Sequence, residues 1–246
     1  MRGIYLHKPY YQSLDQGSII SGCVATGYDN CDVSGCIITA RCDLAHQGKV
    51  SVVHYLPIVL FSDWYRVFGR NVLFNRWESA LRAKINNVFK DSHKGEDVLD
   101  LKLSFEELSV LANSITNKTN QTKAKDWLNE LFIQKEESFS QFLKNDKMVR
   151  DFFSSFIKSE KHEFYYIEDW VSTKDDSLGR VILLKDIKSI SYDVAMQLPG
   201  GIEESDCSRD LLLRNSLAIS SDKNNIYMIE DQIASPFIEH IVQAFS

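Results

Sequence analysis

The sequence predicts an α+β fold: a small, mostly antiparallel sheet or barrel made from both chain ends, with a helical insertion packed on one side. Two observations carry this reading. β-Branched runs broken by Gly, Asp and Asn occupy the first quarter and the last third of the chain. Between them the apolar period changes from two to about 3.6 residues. Three stretches follow: an N-terminal β part over residues 1–74, a helical insertion over 75–160, and a C-terminal β part with a closing helix over 161–246.

In the first stretch, "SIISGCVAT", "DVSGCIITAR" and "KVSVVHYLPIV" read as strands. "GYDN" (27–30) is a hairpin turn between the first two, and "AHQGK" (45–49) separates the second from the third. In the insertion, "RWESALRAKINNVF" spaces Trp77, Leu81 and Ile85 four apart, as one helix face requires. "SFEELSVLANSI" opens with a capping box, Ser104 accepting from the Glu107 amide while Glu107 reaches back. "TNKTNQTK" is polar and reads as an exposed loop. "DWLNELFIQKEESFSQFL" puts Trp127, Leu128, Leu131, Phe132, Phe139, Phe142 and Leu143 on one core-facing stripe of a single helix. A fourth helix covers about 147–159.

The strand signal then returns in "HEFYYIEDWV", "GRVILLKDI", "DLLLRNSLAI" and "NIYMIEDQI", with a short helix at "YDVAMQL". "SPFIEHIVQAF" closes the chain as a helix with Ser235 at N-cap and Pro236 at N1.

Composition narrows the classes of function. With 246 residues, 44% of them hydrophobic, the chain buries a core without disulfide staples. A net charge of −6 argues against a general nucleic-acid coat, which needs an excess of Lys and Arg. The first 17 residues lack the apolar centre of a signal peptide, and "YLPIVLF" is far short of the ~20 residues of a membrane span. Five cysteines without a secretory signal read as reduced thiols or a metal site, not a disulfide framework, in a cytoplasmic protein. Dinucleotide, P-loop, zincin and serine-hydrolase motifs are absent.

The chemistry-bearing stretch is "CDVSGCIITARCDLAH" (31–46), whose C-x4-C-x5-C-x3-H spacing falls within the loose pattern of a CCCH zinc finger. As a strand, however, it separates Cys36 from Cys42 by roughly 20 Å, too far to share a metal. The β-branched run Ile37–Ile38–Thr39 favours the strand, with Cys36, Ile38, Ala40 and Cys42 on one face. A second zinc arrangement survives: a helical turn would bring Cys42 and His46 to i and i+4, with Cys31, Cys23 or His54 completing the set.

"RCDLAH" is the third possibility. There Cys42 is a nucleophile, Arg41 or His46 lowers its pKa, and Asp43 orients the imidazole. Against it stands the plain alternative in which Asp43 caps a turn, His46 is solvated and Cys42 is core.

"CIITARCDLAH" followed by "SVVHYLPIV", with "GRVILLKDI" and "SPFIEHIVQAF", resembles poorly characterised bacterial proteins with an S-x-x-CD[IL] segment and a closing SP[FY]-x-E-H helix. These occur near mobile-element and phage-defence genes. Thr39 stands where that pattern has Ser, and the residues the resemblance marks are Cys42, Asp43, Ser235, Pro236, Glu239 and His240. It implies a cytoplasmic accessory protein of a phage-defence or toxin–antitoxin-type system. Such a protein binds a partner encoded nearby, or RNA or DNA. "QGSII" and "GCIITARCD" also resemble the opening strands of MazF/PemK-like barrels. That likeness implies a metal-independent ribonuclease using Arg41 and Thr39. The remaining alternatives are a thiol-dependent hydrolase at Arg41, Cys42, Asp43 and His46, and a zinc-stabilised binding module.

Overall fold

A computed structural model of the chain describes residues 6–7, 13–46, 49–90, 98–145, 147–158, 163–167, 179–203, 217, 226–233, 238–239 and 241. The fold is α+β, and every strand pairing in it is antiparallel. The chain divides into two compact units: Met1–Val67 with Ser154–Ser246, and Phe68–Phe153.

The first unit is organised by a sheet that interleaves both chain ends. Strands β1 (Leu6–His7), β2 (Ser18–Ile20), β3 (Val33–Ile37) and β4 (Val52–Leu60) come before the helices of residues 61–157. Strands β5 (Phe164–Ile167), β6 (Arg180–Leu183) and β7 (Lys188–Ser191) come after them, as does β10 (Ile229–Ile233). The order is β1-β10-β2-β3-β4-β6-β5, with β7 also on β4. No pairing of β1 with β5 closes this path into a barrel among the described residues. A separate pair joins β8 (Ile202–Glu203) to β9 (Ile226–Tyr227).

β3 lies between β2 and β4, so all five of its residues are buried. Cys36 faces Ile19 on one side and Leu56 on the other in register, and packs with Ile58, Ile182 and Ile233. Burial pushes its thiol up to about 12. It is protonated at neutral pH and acts as a small hydrophobe.

The opposite face of β3 needs Gly35. A Cβ there would come within 2.6 Å of the Cys23 Sγ and 2.7 Å of the Tyr55 ring. Gly17, at φ +88°, ties three strands: its amide donates to Ile37 O, and its carbonyl accepts from the Ile233 amide, both at 2.8 Å.

β4 runs directly into a helical stretch of three parts: α2 (Phe61–Trp64), a π-turn (Tyr65–Gly69) and α3 (Arg70–Lys90). Helix therefore begins at Phe61, within the stretch read as β. An Asp63–Arg66 pair at i,i+3 supports that first turn. Trp64 is fully buried and stacks on Phe156 at 4.1 Å, with Phe61, Phe164 and Tyr166 around it.

In the second unit α3 buries Leu73, Trp77, Leu81, Ile85 and Phe89 at the expected spacing. α4 (Phe105–Ala112) carries the predicted capping box. The Glu107 amide donates to Ser104 Oγ at 3.2 Å, and the Ser104 amide to Glu107 Oε2 at 2.8 Å.

Two readings need correction here. "TNKTNQTK" is not a loop but the start of α5 (Lys118–Phe132), because Asn117 caps it by accepting from the Thr119 and Asn120 amides. The long apolar stripe is broken as well. The Ile133 and Gln134 amides share the Asn129 carbonyl, which ends α5 before α6 (Lys135–Asn145) and leaves Phe132 and Ile133 exposed.

α7 (Lys147–Ile157) follows, and α8 (Tyr192–Ala195) occupies the predicted "YDVAMQL" segment. No helix among the described residues is long and apolar enough to cross a membrane. "DLLLRNSLAI" lies outside the described residues except for Leu217, which is buried. Ile238 and Glu239 are helical, and Ile238 and Ile241 join the core.

Replacing Gly35 by Ala is expected to cost about 1–3 kcal/mol, the usual range for overpacking a filled core. Urea denaturation measures it; an unchanged midpoint would show that Cys23 and Tyr55 move aside at no cost.

Candidate functional site

The strand-end cluster sits where β3 hands over to a single helical turn, α1 (Arg41–Leu44). The strand stops at Ile37, earlier than its β-branched run suggests, because Thr39 turns inward. Its hydroxyl accepts from the His54 amide at 2.7 Å while the Ile38 amide donates to His54 O at 3.0 Å. The chain then leaves the sheet. Ile38 still packs on the Cys36 cluster, but Ala40 is half-buried and Cys42 is exposed, not core. α1 is fastened from the far end of the chain by Tyr192, whose hydroxyl donates to Leu44 O at 3.0 Å.

Each charged group of "RCDLAH" is held by a partner. Arg41 makes a two-point pair with Asp15, Nε to Oδ1 at 2.8 Å and Nη2 to Oδ2 at 2.7 Å. Asp43 pairs with Lys49 and also accepts from the Cys42 thiol, Sγ to Oδ1 at 3.6 Å. The Lys49 ammonium holds the Asp43 carboxyl below its ordinary value of 3.8, with help from Cys42 and His46. Asp43 in turn raises Lys49 above 10.5.

His46 is exposed, and no hydrogen bond from its side chain is made to the described residues. Its carbonyl accepts from the Lys49 amide at 3.0 Å, closing the turn. The predicted chain of thiol, imidazole and orienting carboxylate is therefore not assembled. The thiol meets the carboxylate directly, and the carboxylate is oriented by lysine.

Cys31 stands elsewhere. It precedes β3 and Cys42 follows it, so at least roughly 13 Å of extended strand separates the two. Arg66 donates to the Cys31 Sγ at 3.3 Å. Burial and the Asp63 carboxylate, opposed by Arg66, raise that thiol above its ordinary 9.0. Among the described residues no group of three or more His, Cys, Asp and Glu is placed to hold a metal ion. Of the closing-helix residues, Glu239 is exposed, and Ser235, Pro236 and His240 lie outside the described residues.

Sequence reasoning missed Asp15 and Lys49. Asp15 becomes visible once register is known. Ile19 opposes Cys36, so four residues back along β2's approach lies level with four residues beyond Cys36, beside Arg41. Lys49 closes the segment 45–49, which the sequence marks only as a separator between strands.

Comparison with protein-family models, with curated proteins and with solved structures returns no match.

Two measurements probe this geometry. A thiol reagent applied to the native protein is expected to label Cys42 before Cys36, which reacts only on unfolding; equal rates would contradict the burial. The second follows Asp43 with pH. Its folded pKa is depressed, so its contribution to stability is present above the unfolded value near 3.8 and fades as pH falls through the lower folded value. The melting-temperature gap between wild type and Asp43→Asn is therefore expected at pH 7 and should close under acid. A gap that persists at pH 2 would rule out the ion pair as its source.

Proposed function

We propose that the chain acts by binding a protein partner, as an accessory component of a phage-defence or toxin–antitoxin-type system, and not by catalysis at the strand end. One observation carries this reading: Arg41 and Asp43 are each engaged by an internal counter-ion, and the Cys42 thiol donates to Asp43, not to His46. A nucleophile needs a base within hydrogen-bond reach and an orienting group behind that base. A ribonuclease needs its guanidinium available to phosphate, and here Asp15 occupies the Nε/Nη2 edge of Arg41 and neutralises its charge. The net charge of −6 favours a protein over a nucleic acid as partner. The resemblance carried by "TARCDL" and "SPFIEH" supplies the defence setting.

Co-expression of the tagged chain with each product of the adjacent genes, followed by size-exclusion chromatography, tests the reading. A stoichiometric complex that survives Cys42→Ser is expected. RNA incubated with wild type and with Arg41→Ala is expected to stay intact in both. Cleavage by wild type that is lost in Arg41→Ala would replace the binder with a MazF-like ribonuclease. Stoichiometric zinc that disappears in Cys42→Ser would replace it with a zinc module.

A further inference from the structure

The first two strands pair antiparallel as expected, but a long loop joins them in place of a tight turn at 27–30. β2 ends at Ile20, β3 begins at Val33, and residues 23–33 form a closed loop whose ends are tied by the Cys23 amide donating to Val33 O at 2.9 Å. The loop is filled by its own side chains, with Cys23, Ala25 and Tyr28 buried. Two internal turns shape it: the Tyr28 amide donates to Ala25 O, and the Cys31 amide to Tyr28 O.

It is also fixed from outside. Tyr55 Oη accepts from the Val24 amide at 3.2 Å. Asp186 accepts from the Thr26 amide and hydroxyl, both at 2.8 Å, and Lys188 donates to the Thr26 hydroxyl at 2.6 Å. Ser21, just before the loop, exchanges hydrogen bonds with the Met228 backbone.

Three exposed apolar residues lie within three positions of these ties along the chain. Val24 and Met228 are each 44% exposed and Ile187, between Asp186 and Lys188, is 43% exposed. The neighbouring charges are internally paired: Asp63 with Arg66, and Asp186 with Lys188. Asp29 and Asp32 differ. Both are exposed loop carboxylates, and neither has a salt-bridge partner among the described residues. The long-range field has the same sign, since residues 68–153 hold 14 Lys and Arg against 13 Asp and Glu, and the rest of the chain holds 14 against 21.

We infer that this loop rim, with Val24, Ile187 and Met228 as apolar contacts and Asp29 and Asp32 as charge guides, docks a protein segment carrying aliphatic anchors flanked by Lys or Arg. The inference rests on the partner-binding reading and assigns the partner's chemistry. Loop fixation lowers the ordering cost of association, and the two unpaired carboxylates select against acidic segments.

A phage-displayed library of random 16-residue peptides, selected on the immobilised full-length chain, tests it. Enriched peptides are expected to be cationic with interspersed Leu, Ile, Met or Phe. Their affinity should fall at least tenfold on Val24→Asp and on the double variant Asp29→Lys/Asp32→Lys, and stay unchanged on Arg41→Ala. Circular dichroism and urea midpoints matching the parent verify that each variant is folded. If Val24→Asp does not fold, Ile187→Asp takes its place.

Neutral or acidic peptides, no enrichment, or undiminished binding to the folded loop variants would overturn the inference. Peptides lost only on Arg41→Ala would also overturn it, while leaving the partner-binding reading in place. That reading is judged separately by the co-expression complex.

Discussion

β4 is the constraint on which the β-rich unit depends. It is the longest strand, nine residues, and it bonds β3 along one edge and both β7 and β6 along the other. Residues 52–55 face β7 and residues 58–60 face β6. One strand from the N-terminal side therefore sets the register of two from the C-terminal side. A slip of one residue would turn Tyr55 and Leu56 to opposite faces and bring Tyr55 out of reach of Val24. The aromatic packing around Trp64 begins one turn beyond its end, so the same strand also positions that cluster.

The strand-end cluster is a consequence of this register. Exposed ion pairs are screened by water and salt, so Arg41–Asp15 and Lys49–Asp43 do little for global stability. Their effect is orientational. The two-point Arg41–Asp15 contact joins the entry to β2 to the exit from β3, and Tyr192 fixes the same turn from α8. A neutralised group of this kind holds a chain reversal in place, and it leaves the thiol beside a lysine-paired carboxylate with no imidazole in reach.

The β-branched runs revealed most strands because a pleated, doubly covered surface accepts few other residues. Their ends were harder to see. Thr39 stops β3 through a side-chain bond to the backbone of β4, and no local propensity encodes that partner. "SIISGCVAT" continues the apolar signal past Ile20, yet the Cys23, Ala25 and Tyr28 side chains fill a loop instead of a strand face. The Ser104–Glu107 box could be read because both halves lie within four residues. The Asn117 cap is just as local, but the polar run behind it has no apolar period to mark a helix, and its exposed residues need none. Asp15 and Lys49 were invisible for the opposite reason, since each meets its partner through register and turn geometry.

The two ends of β3 differ in electrostatic character, and that difference separates anchoring from recognition. After β3, two cations and two anions cancel within salt-bridge distance, so their combined field decays within a few ångströms. Before β3, Asp29 and Asp32 have no such partners among the described residues, and a charge without a partner acts over a Debye length of about 8 Å at physiological salt. In the proposed docking, an approaching chain feels the loop end first, and the exposed Val24, Ile187 and Met228 then bury area against it. The cysteine-rich stretch that spans both ends thus draws attention to Cys42, while the uncompensated charge lies ten residues or more before it.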